Sequence, residues 1–89
     1  MSMVTKGDVF NVVVPFNGLQ GGSLGVCISM RPGKNLVWKA DILMENGSIA
    51  TLTERETYLF LRSKGKMNVE EMPTEELINQ LKHFNQPTA

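Results

Sequence analysis

Few side chains in this 89-residue chain can do covalent or metal chemistry. The only histidine, His83, falls near the end of a helix-prone run, where a cationic imidazole would complement the helix dipole. The only cysteine, Cys27, sits in a β-prone segment with no neighbouring cation to lower its pKa, so it reads as a packed structural thiol rather than a nucleophile. One cysteine forms neither an intrachain disulfide nor a cysteine metal cage, and there is no second histidine to complete a metal site. Glu70-Glu71 and Glu75-Glu76 are paired carboxylates, but general acid-base work needs a cleft that separates their pKa values. These pairs border a helix start without aromatic neighbours and read as a solvated face. No catalytic, metal-binding or cofactor-binding residue is assigned, and the expectation is a protein that is not an enzyme and carries no cofactor.

Binding chemistry has more to stand on. The glycine-rich stretch from Asn17 to Gly25 has unhindered amides that could wrap an anion. It lacks a Gly-Lys-Ser/Thr ending and leads into a strand instead of a helix, so it is expected to be an adaptable loop on the rim of a binding surface. Arg31, Lys34 and Lys39 gather around one turn and Arg62, Lys64 and Lys66 around the end of a later segment; Phe16, Trp38, Tyr58 and Phe60 could supply stacking faces. Cations interleaved with aromatic rings suit a nucleic-acid strand. Against this, nine basic residues are balanced by nine acidic ones, and a dedicated nucleic-acid binder carries a basic excess. The charge is unevenly spread. Residues 1–66 hold eight basic side chains against five acids, while residues 67–89 hold Lys82 against four glutamates. An acidic tail could fold against a basic face or keep polyanions from it.

The elements that must position these residues are marked by turn signals. The segment Val9 to Phe16 is apolar on both faces, Phe10, Val12, Val14 and Phe16 against Val9 and Val13, and is expected to be central; Pro15 should bend it or make it an edge. Gly25 to Met30 alternates Val26, Ile28 and Met30 against Cys27 and Ser29, then meets Pro32-Gly33, which suits a type II turn. Leu36, Trp38, Ala40, Ile42 and Met44 share one face of a third strand, which places Trp38 in the core. Asn46-Gly47 predicts a tight type I′ hairpin returning through Ser48 to Leu52. Thr53-Glu54-Arg55-Glu56 has the spacing of a capping box. It starts either a single helical turn before a last strand, Tyr58 to Arg62, or a full helix through Lys64 ended by Gly65; the β-favouring content of 58–61 favours the strand. Thr74 should cap a terminal helix with Leu77, Ile78, Leu81 and Phe84 in one apolar stripe, acids in its first turn and Lys82 and His83 in its last.

The predicted fold class is therefore mainly β: a five-stranded antiparallel meander over residues 1–66, closing as a small barrel, with a linker and amphipathic C-terminal helix over 67–89 packed upon it. The short strands, long first loop, tight third hairpin and helical turn before the last strand resemble the SH3-like small barrels. Gly7-Asp8-Val9 and Gly25-Val26, each opening a strand, are similar to the KOW-type modules of transcription and translation factors. The resemblance spans about residues 7–62 and implies an architecture and a binding role, with no residue-specific function.

The function expected is a small non-catalytic protein-interaction module, a regulator or inhibitor of a larger enzyme or assembly. Its candidate anchors are Leu43, Val37, Tyr58 and Phe60, with Met67 and Met72 in the linker, since methionine suits adaptable contacts. The alternative is an RNA- or DNA-binding barrel using Arg31, Lys34, Lys39, Arg62, Lys64 and Lys66. A homodimer through the terminal helix is a further option. No run approaches the length of a membrane span, and the lone cysteine suits a reducing compartment, so the expected location is cytoplasmic.

Overall fold

A computed structural model describes residues 4–15, 19–34, 37–70 and 72–84. Five strands, β1 (Asp8–Val12), β2 (Leu24–Pro32), β3 (Trp38–Met44), β4 (Ile49–Thr53) and β5 (Leu61–Lys66), form one antiparallel sheet in the order β4-β3-β2-β1-β5. Helix α1 (Glu54–Phe60) carries the chain from β4 to β5, and α2 (Thr74–Phe84) follows the sheet. β4 and β5 are its two edges, so the sheet does not close through a ladder. No helix among the described residues is long and apolar enough to cross a membrane.

β1 is central, as its two apolar faces predict, because it pairs with both β2 and β5. Phe10 and Val12 enter one core with Cys27, Ala40, Ile42 and Leu52; Val9 enters a second core, on the other face, with Val26, Leu43, Leu77 and Leu81. The strand stops at Val12, short of the expected Phe16. Val13 and Val14 stand exposed, and their amides turn to the Phe60 carbonyl (2.9 and 3.4 Å). Phe16 and Leu36 lie outside the described residues.

β2 departs from simple alternation. Its register passes from Cys27 opposite Ile42 to Ser29 opposite Asp41, leaving Ile28 as the extra residue of a bulge. Beyond the bulge the faces exchange: Met30 joins the Cys27 core, not Ile28's, and Ser29 turns to Asp41. Gly25 is set by close approach, since a Cβ there would meet Ile42 Cγ2 at 2.6 Å and Met44 Sδ at 2.7 Å.

The β3–β4 hairpin forms where Asn46-Gly47 predicts it, with a different turn. Met44 donates its N–H to the Ser48 carbonyl (2.8 Å) and Gly47 donates to the Met44 carbonyl (2.9 Å), enclosing Glu45, Asn46 and Gly47. Gly47 has φ +93°, so this is a three-residue loop ending in a left-handed glycine instead of a two-residue type I′ turn. Asn46 Oδ1 locks it by accepting from both the Ser48 N–H and hydroxyl.

The capping box is complete: Thr53 Oγ1 accepts from the Glu56 N–H (3.1 Å) and Glu56 Oε1 from the Thr53 N–H (2.9 Å). The helix it starts runs for two turns to Phe60, and the last strand follows at Leu61. Tyr58 and Phe60 are thus helical, and the strand is made of Leu61–Lys66, a segment with little β propensity of its own. Pairing with the open side of β1 overrides propensity there.

α2 lies where its stripe requires. Leu77 and Leu81 are buried, Ile78 and Phe84 pack beside them, and the helix rests on β2 and β3. Met67 and Met72, expected at the surface, are half-buried against the same core. Leu43 is corrected likewise: it is 1% exposed, within the core that α2 covers.

Candidate binding channel

Trp38 faces the same side of β3 as Ala40 and Ile42, as periodicity predicts, yet it is 45% exposed. Its cross-strand partner is Pro32, the last pair of the β2–β3 ladder, so no further rung covers the indole. The expectation of a core tryptophan fails because alternation assigns a face but not the depth along the strand.

The indole helps to line a hollow with Val4, Thr5, Lys6 and Met30. A neighbouring hollow is lined by Val4, Phe10, Thr57, Tyr58, Leu61 and Ser63. Val4 belongs to both, so the two adjoin as a pair of largely apolar hollows, one bearing Trp38 and the other Tyr58, 75% exposed; this pair is the candidate channel. Phe60, on the same helix, is half-buried, and Leu59 is exposed beside it.

The segment that bears Val4 is held by a polar knot. Asp8 accepts from the Thr5 N–H (2.8 Å) and hydroxyl (3.2 Å), its own N–H returns to the Thr5 carbonyl (3.0 Å), and Lys66 Nζ reaches both Asp8 Oδ1 (3.2 Å) and Thr5 Oγ1 (2.8 Å). This ties the segment bearing Val4 and Lys6 to the start of β1. The Thr5-to-Asp8 spacing is the sequence signal of this local order.

The basic residues divide. Arg31 and Lys39 are cross-strand partners, and with Pro32, Gly33 and Lys34 they line a hollow at the tip of the β2–β3 hairpin. The predicted first cluster is therefore assembled, with Arg31 and Lys39 on the sheet face opposite Trp38, whose own hollow includes Lys6. Arg62, Lys64 and Lys66 instead lie along β5, at a sheet edge separated from β2 by β1. Arg31 is partly engaged: Asp41 Oδ1 accepts from its Nη2 (3.2 Å) and from Thr51 Oγ1 (2.7 Å), while Oδ2 accepts from Ser29 Oγ (2.7 Å). The Thr51 and Ser29 hydroxyls, with the Arg31 guanidinium, hold the Asp41 carboxyl below its ordinary pKa.

The remaining candidates lie apart from the channel. Cys27 is fully buried; desolvation pushes its thiol up to about 11, and its Sγ donates to the Ser29 carbonyl (3.4 Å). His83 Nδ1 lies 2.8 Å from the Asn79 carbonyl on the exposed side of α2. The glycine-rich loop contributes Leu19, Gln20 and Ser23 to a polar hollow shared with Glu45, Asn46 and Ser48. Among the described residues, no group of three or more His, Cys, Asp or Glu side chains is placed to hold a metal ion.

No protein-family model, curated protein or solved structure matches this chain. The channel and the hairpin tip must therefore be read from their own chemistry.

Proposed function

We propose that this chain is a non-catalytic protein-interaction module, a regulator or inhibitor that takes an extended apolar segment of a larger protein along the channel between Trp38 and Tyr58. The observation that carries this reading is Trp38: a large aromatic, 45% exposed, lines an apolar hollow that adjoins, at Val4, a second apolar hollow bearing the exposed Tyr58. Such rings dominate the energetics of contact surfaces. Lys6 is the cation that lines the tryptophan hollow, so the segment bound should carry an acidic residue there. The strand order, with β5 returning beside β1 after a short helix, supports an SH3-like small-barrel reading of the sheet. The lone buried thiol suits a reducing, cytoplasmic setting.

The hairpin tip favours one second reading, a single nucleic-acid strand stacked on Trp38 with its phosphates reaching Lys6 and the tip cations Arg31, Lys34 and Lys39. Trp38 is the only tryptophan, so its fluorescence reports on both. Titration with display-selected peptides should select apolar sequences with an acidic flank and perturb Trp38 emission, and Trp38→Ala should abolish binding. Because the indole is half exposed, that substitution should cost the fold only about 1–2 kcal/mol, below the range for a fully buried ring. Quenching by single-stranded oligonucleotides that fades steeply with salt, with no peptide selected, would replace the first reading by the second.

A further inference from the structure

The two edges of the sheet are guarded unequally. β5 carries Arg62, Lys64 and Lys66, and its register against β1 skips at Lys64, so charge and a bulge both obstruct strand addition. β4 reads Ile49-Ala50-Thr51-Leu52-Thr53, with no charge, no proline and no bulge, and Ile49 is 58% exposed.

Its backbone is available as well. Met44 and Ser48 form a hydrogen-bonded pair, so alternation makes Ile42–Ala50 and Ala40–Leu52 hydrogen-bonded pairs and turns the backbone groups of Ile49, Thr51 and Thr53 away from β3. The Thr53 N–H is taken by Glu56, while those of Ile49 and Thr51 have no partner among the described residues.

We infer that β4 pairs antiparallel with β4 of a second copy of this chain about a two-fold axis at Thr51, joining two sheets into one. The strand is its own complement in that register. Thr51 meets Thr51, Ile49 meets Thr53 so that β-branched side chains face each other, and Ala50 meets Leu52, small against large. No charge within the strand meets another. The two Thr51 residues exchange N–H to carbonyl bonds, and the pairing does not call on the Thr53 N–H, so the capping box stays intact. The dimer uses a different surface from α2, whose stripe already covers its own sheet.

Sedimentation of the full chain over a concentration series, with three variants at one position, tests this. The wild type should sediment as two chains. Thr51→Pro removes an N–H that points away from β3, a position where edge strands tolerate proline, and should leave a folded monomer. Thr51→Lys keeps the backbone but opposes two cations across the axis, and should also be monomeric; it decides the matter if the proline variant fails to fold. Thr51→Val removes the hydroxyl that Asp41 accepts from, as both other variants do, yet keeps the edge, and should remain a dimer. A wild type that is monomeric at every concentration, a species larger than two chains, a folded Thr51→Lys dimer, or a monomeric Thr51→Val would each overturn the inference.

Discussion

At the scale of single residues, Asp41 shows how a side chain facing away from one core still fixes the sheet. It gathers Ser29 from β2, Thr51 from β4 and Arg31 from the hairpin tip, so one carboxylate bonds across three adjacent strands. Its folded pKa is depressed by hydrogen bonds that favour the charged form. The stability it contributes is therefore present above its unfolded pKa and disappears as pH falls through the carboxylate range to the folded value. Asp41→Asn should lower stability at neutral pH by about 1 kcal/mol, the scale of a partly exposed hydrogen-bonded charge. Denaturant titrations at neutral and acidic pH should show the gap between variant and wild type closing on acidification; a gap of constant size would mean that Asp41 is not linked to folding. Cys27 is the contrasting case, a buried thiol whose desolvation, aided by the Asp8 and Asp41 carboxylates, raises its pKa and favours the neutral form.

At the scale of elements, local signals succeeded where the chemistry is local. The capping box from Thr53 to Glu56 and the turn at Asn46-Gly47 are both present because side chains bond to backbone within a few residues. Gly47→Val should destabilise the hairpin by about 1–2 kcal/mol, since φ +93° is costly for a β-branched residue, while a Cβ itself would find ordinary contact with Ile78 at 3.7 Å. Gly47→Asn should be nearly neutral, and equal melting temperatures for the valine variant and the wild type would sink the loop assignment. The boundary between α1 and β5 was illegible in the sequence for the opposite reason. Tyr58-Leu59-Phe60 has the aromatic content of a strand but continues the capped helix, and Leu61–Lys66 becomes a strand only because β1 offers it a partner. The bulge at Ile28 is equally nonlocal, visible only when Cys27 and Ser29 are set against consecutive residues of β3. The channel is half legible: Tyr58 lies at the surface as a candidate anchor should, whereas alternation puts Trp38 too deep, and Val4, Thr5 and Lys6 owe their order in part to Lys66, distant in sequence.

At the scale of the whole molecule, the sheet supports cores on both faces, and α2 covers one of them. Val9 and Val26 are fully buried and Leu43 nearly so on that face, with Leu77 and Leu81 of the helix completing the contact. Burying two leucines contributes about 3–6 kcal/mol, a large part of the 5–15 kcal/mol that holds a typical domain together. An 89-residue chain without a disulfide has little reserve to replace it. Truncation after Met72 should therefore abolish the cooperative melt and leave a species that binds a hydrophobic dye through the uncovered Val9, Val26 and Leu43. That outcome would make α2 part of the fold and leave the Trp38–Tyr58 channel, on the opposite face, as the surface free for a partner. A truncated chain that melts like the full one and binds no dye would mean that the helix is dispensable to the sheet, and its apolar stripe would then replace the channel as the first surface to test for a partner.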